Sequence, residues 1–91
     1  MALRAAITPS YIREVTIDPA SIAATTVVDQ TFTVSGLRTD MFVVVAMASL
    51  EANVTFCNAH VSANNTLKIR FRNQTAGAID PASQTAKIIA F

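Results

Sequence analysis

One stretch limits what this chain can become: residues 54–73, VTFCNAHVSANNTLKIRFRN. In its second half Leu67, Ile69 and Phe71 alternate with Lys68, Arg70 and Arg72. Successive strand side chains point to opposite faces, so this spacing sets three large apolar groups against three cations. The first half, 54–63, carries two apolar phases, Val54 and Phe56 in one and Cys57, Ala59 and Val61 in the other. A β-bulge, which inserts one extra residue, reconciles them. The polar Ser-Ala-Asn-Asn-Thr connection joins the two halves into a β-hairpin.

Strands of similar length are expected on both sides of the hairpin. Residues 11–17 place Tyr11, Arg13, Val15 and Ile17 on one face and Ile12, Glu14 and Thr16 on the other. Residues 26–34 place Val28, Gln30, Phe32 and Val34 together, opposite Asp29, Thr31 and Thr33. The run MFVVVAM, 41–47, is continuously apolar and rich in β-branched residues. It predicts a strand buried on both faces, or one with its second face against a neighbour. Residues 85–91 close the chain, with Ile89 and Phe91 opposite Ile88. Asp18-Pro19, Ser35-Gly36 and Asp80-Pro81 mark turns. Residues 20–24 suit a helical turn but are too short for one to stand alone, and 48–53 reads as a loop or a single helical turn. Together these elements predict an all-β fold. It is a compact jelly-roll-like, Greek-key sandwich of six to eight short strands, because turn signals recur about every ten residues and the long connections at 18–25 and 74–83 suit sheet crossings. Residues 1–10 read as an extended N-terminal arm and 11–91 as a single β-domain.

Composition adds a constraint on assembly. The 91 residues are 52% hydrophobic and 14% charged, against about 25% charged in an average globular protein. A domain of this size buries roughly 60–65% of its unfolded surface. Apolar surface in excess of that core is expected to be covered by other chains, since soluble monomers rarely expose large apolar patches. A net charge of +1 argues against a dedicated nucleic-acid binder. No apolar run reaches the about 20 residues that cross a bilayer. The start, MALRAAITPS, lacks the pattern of a secretory signal. The single cysteine, Cys57, excludes an intramolecular disulfide and fits a reducing compartment.

Catalysis finds little to work with. His60 is the only histidine, and Cys57 three residues earlier faces the other way on a regular strand, which disfavours a Cys–His dyad. Zinc needs three or four ligands, so one Cys and one His fall short unless a trimer axis multiplies them. The six carboxylates are scattered, and two glycines cannot build a phosphate loop. No enzyme activity, metal or cofactor is expected. Asn53-Val54-Thr55, Asn64-Asn65-Thr66 and Asn73-Gln74-Thr75 match the glycosylation pattern but read as Asn/Thr turns. The stripe Lys68, Arg70 and Arg72 has two readings: a contact for an acidic surface, or a solvated face whose charges prevent edge-to-edge pairing.

The order TFTVSGL (31–37), MFVVVAM (41–47), HVSANNTLKIRFRNQTAG (60–77) and IDPASQTAKIIAF (79–91) resembles the small capsid decoration, or cement, proteins of tailed bacteriophages and the related knob and head-fibre modules. The matching pieces lie between Thr26 and Phe91. ASLEANV after the apolar strand lacks the proline-containing loop of that group, and the arm has no counterpart in it. The resemblance implies a structural virion protein made in the bacterial cytoplasm. It would bind the outside of a phage head as a homotrimer, with the major capsid or another shell protein as partner and neither nucleic acid nor membrane involved. The alternative is a receptor- or carbohydrate-binding β-module of a tail or fibre, although the chain has no Trp and a single Tyr. Expected contact residues are Leu3, Ile7 and Tyr11 in and beside the arm, Met41, Phe42, Val44 and Phe91 between subunits, and the stripe Lys68, Arg70 and Arg72.

Overall fold

A computed structural model describes residues 11–47 and 52–91. The arm assigned to 1–10, with Leu3 and Ile7, lies outside the described residues, as does most of the 48–53 loop. The described residues hold six strands and no helix: β1 (Tyr11–Ile17), β2 (Val27–Thr33), β3 (Val43–Met47), β4 (Val54–Ala63), β5 (Thr66–Asn73) and β6 (Gln84–Ala90). They form two antiparallel sheets, ordered β1-β6-β3 and β2-β5-β4. Only the β4–β5 hairpin joins strands that are consecutive in the chain and adjacent in a sheet. Every other connection crosses from one sheet to the other.

The alternation seen in the sequence decides what lies between the sheets. Leu67, Ile69 and Phe71 of β5 are fully buried, as are Ala86, Ile88 and Ala90 of β6. Val28, Phe32, Val43, Val45 and Met47 pack against the same cluster. β4 keeps both of its phases through a register shift between Phe56 and Asn58. Val54 and Phe56 face inward before the shift, and Ala59 and Val61 after it. The bulge is therefore at Cys57, which is exposed.

Turn chemistry then fixes the strand ends. Asn65 adopts φ 62° at the hairpin tip, a left-handed conformation that Asn tolerates better than most residues. Its side-chain Oδ1 accepts the Gly36 N–H at 2.9 Å, and its N–H donates to Leu37 O at 2.8 Å. Gly36 itself has φ 93°, and a Cβ there would meet the Tyr11 ring at 2.9 Å. Only glycine satisfies both demands.

The 20–24 helical turn does not form. Ile22 instead makes an antiparallel bridge to Ile79, with N–H···O distances of 2.7 and 3.0 Å. A short segment gains little from a helix nucleus, whereas this bridge buries Ile22 completely. Gln30 extends the same join: its amide accepts the Ala20 N–H at 2.8 Å and donates to Ala20 O at 2.9 Å. The two long connections thus close one end of the sandwich together, over the buried prolines Pro19 and Pro81.

Candidate interaction surfaces

The outer face of β1-β6-β3 is greasy over half its length. Pairing puts Ile12, Ile89 and Val44 in one row across the three strands. Ile12 is 74% exposed and Val44 52%. Beyond that row Phe42 and Phe91 exchange backbone hydrogen bonds of 2.8 and 3.0 Å, and their rings lie 6.4 Å apart. Phe42 is 76% exposed. The next row in the other direction is polar, with Lys87 reaching Glu14 at 3.8 Å beside Ala46. Thr16 and Thr85 follow. The face is an apolar field bordered by an ion pair, the arrangement of an interface core and its rim.

The continuous apolar run thus has a resolved meaning. Burial of 41–47 on both faces by this chain alone is excluded: Val43, Val45 and Met47 turn inward, and Phe42, Val44 and Ala46 turn out. Of the four residues expected between subunits, Phe42, Val44 and Phe91 lie together on this outer face, whereas Met41 packs against the core. Ile12 and Ile89 complete the patch and were missed, although the parity of 11–17 already separated Ile12 from Tyr11 and Val15. Tyr11 is half-buried and engaged within the chain: its hydroxyl donates to Ser35 O at 2.7 Å. Arg13 lies over its ring, 5.5 Å from the centroid.

The outer face of β2-β5-β4 has the opposite character. β5 is the central strand, so Lys68, Arg70 and Arg72 do not protect an edge, although Arg70 and Arg72 do form a solvated face. Asp29 stands opposite Arg70 and receives its Nε at 2.7 Å and its Nη2 at 3.2 Å. Asn58 flanks Arg70 on the other side, and His60 stands opposite Lys68. The bulge also cancels the parity argument that separated Cys57 from His60, since both are exposed. Among the described residues no three of His, Cys, Asp and Glu gather as metal ligands.

The hydrogen bond from Arg70 holds the Asp29 carboxyl below its ordinary value of 3.8, against an opposing desolvation and with smaller help from the charges of Arg70, Lys68 and His60. A carboxylate whose pKa is lowered by folding stabilises the fold above that ordinary value and ceases to do so as pH falls through the folded one. The stability difference between the wild type and Asp29→Asn is therefore expected to be constant above about pH 5 and to shrink on further acidification. Urea midpoints of both proteins from neutral to strongly acid pH check this. A difference that grows on acidification would contradict it.

Neither protein-family models, nor curated proteins, nor solved structures match this chain.

Proposed function

We propose that this chain is a non-enzymatic structural subunit that assembles with copies of itself through the outer face of β1-β6-β3. Following the resemblance, it decorates the outside of a bacteriophage head as a jelly-roll-like homotrimer. The observation that carries the reading is the row Ile12–Ile89–Val44 with Phe42 and Phe91 beyond it, exposed on a folded sheet.

Magnitudes favour a closed ring over a pair. Burying a side chain such as Ile12 or Phe42 contributes about 1.5–3 kcal/mol. Association costs an estimated 4–15 kcal/mol in lost rigid-body freedom, so one side chain cannot hold two copies together and several of the five must be covered at each interface. A trimer forms three contacts for two associations, and attachment of all three copies to one shell multiplies effective concentration further. The sheet-crossing connections support the jelly-roll-like reading. The carbohydrate-binding alternative draws less support, because Tyr11 is engaged with Gly36 and Ser35 of its own chain.

The test is the double variant Ile12→Thr, Val44→Thr. Threonine suits a half-exposed strand, so the fold should persist while the patch turns polar. Sedimentation is expected to show a trimer for the wild type and a monomer for the variant at equal concentration. Mixing both with undecorated phage heads and imaging the particles should show copies only with the wild type. A wild type that stays monomeric at high concentration and leaves heads bare would overturn the reading.

A further inference from the structure

The face opposite the apolar patch holds a second site. A cleft of about 40 Å3 opens on the β2-β5-β4 sheet between Asp29, Asn58, His60, Lys68 and Arg70. Three adjacent strands supply its walls, with Asp29, Arg70 and Asn58 in one row and Lys68 and His60 in the next. Small-molecule sites measure roughly 300–1,000 Å3, so this cleft admits the tip of one side chain rather than a free metabolite.

Its chemistry is already displayed by its own wall. Asp29 lies in the fork of Arg70 through both oxygens, the bidentate geometry that selects a carboxylate. After Asp29 and Arg70 offset one another, Lys68 and Arg72 remain, and neither has an ion pair among the described residues. His60 and Asn58 add polar groups at the rim. The face is therefore net positive and centred on a strand that cannot be an edge.

We propose that this cleft docks a carboxylate from an acidic protein surface, and that Asp29 is a built-in competitor that holds Arg70 until the partner's carboxylate replaces it. The inference rests on the assembly reading only in taking the partner to be a protein, and it makes no use of the apolar face. In the bound state the partner's carboxylate takes up the Arg70 fork beside Lys68, and Asp29 is released to water.

The experiment measures binding of the full chain to immobilised poly-L-glutamate at low salt, about 50 mM, where exposed charges are weakly screened. Polyuridylate serves as a phosphate polymer of equal length. The wild type should bind polyglutamate. Asp29→Asn should bind about tenfold more tightly, the scale of a freed charge-assisted hydrogen bond. Arg70→Gln and Lys68→Gln should each weaken binding about tenfold on the same basis. Asp40→Asn makes the same change of net charge at an exposed loop, where Asp40 pairs with Arg38, and should leave affinity almost unchanged.

Three results would overturn the proposal: no binding to polyglutamate, equal gains from Asp29→Asn and Asp40→Asn, or tighter binding of polyuridylate. Sedimentation in parallel keeps the two readings apart. A monomeric wild type that still shows the Asp29→Asn gain sinks the assembly reading and leaves this one standing. A trimer in which Asp29→Asn and Asp40→Asn behave alike does the reverse.

Discussion

Replacing Phe71 with alanine is expected to remove about 3–5 kcal/mol of stability. Phe71 is fully buried on the central strand β5, opposite Val28 on one side and Phe56 on the other. The Phe56 ring meets it edge to face at 6.2 Å. Truncation loses the transfer energy of the ring and opens a cavity between two sheets whose strands are pinned by their hydrogen bonds and cannot close over it. A domain of 91 residues has roughly 5–14 kcal/mol in total, so the variant should approach its unfolding threshold. Urea denaturation at low protein concentration measures the loss. Phe42→Ala is the contrast: the same change of residue at an exposed position should shift intrinsic stability by no more than about 0.5 kcal/mol. Equal losses at the two positions would mean that the inner and outer faces have been assigned wrongly.

Asn73→Leu carries the second large effect. Asn73 is the one buried polar residue among those described, and all of its capacity is used. Its Nδ2 donates to Ile22 O at 3.0 Å and Gly77 O at 2.9 Å, while its Oδ1 accepts the Thr75 N–H at 2.9 Å and the Thr75 hydroxyl at 2.8 Å. This one amide ties the end of β5 to both long connections. Leucine preserves the volume and abandons the buried Ile22 carbonyl together with the partly buried bonds to Thr75 and Gly77, at about 1–3 kcal/mol for each buried group left unsatisfied. The expected loss is about 2–5 kcal/mol on that basis. Asn73→Asp separates hydrogen bonding from packing. Its carboxylate would face two carbonyl oxygens, so its deficit against the wild type should narrow as the pH falls and the acid regains a proton to donate. A deficit independent of pH would show that shape, rather than donation, is what position 73 requires.

These two positions stabilise the platform, and the two outer faces use it differently. On one sheet the outward residues near one end are apolar, and on the other they are cationic and polar. On the readings proposed above, one face meets copies of the chain and the other an acidic partner surface. The contrast in chemistry keeps the contacts from being interchangeable.

Legibility followed the range of the interaction. Lys68, Arg70 and Arg72 were separable from Leu67, Ile69 and Phe71 because a strand's period of two is local and holds in any sheet. The bulge in β4 was legible for the same reason, as a clash of phases between Phe56 and Ala59. The partner of residues 20–24 was not legible, because Ala-rich sequence locally favours a helical turn whereas the Ile22–Ile79 bridge joins segments far apart in the chain. Asn73 looked like turn material or a glycosylation acceptor because nothing adjacent to it shows that three backbone segments converge there.

Taken by itself, the sequence determined that the chain is all-β, where most of its strands run, and which side of each strand is greasy. All of these follow from the alternation of neighbours. Beyond the β4–β5 hairpin, only the tertiary structure decided which strands pair. Strand order made β5 central and removed edge protection as the role of its cations. It aligned Ile12, Ile89 and Val44 across β1, β6 and β3, and brought Asp29 from β2 to Arg70 on β5. Register between distant strands is set by the packing of both sheets at once, and no local pattern carries that information.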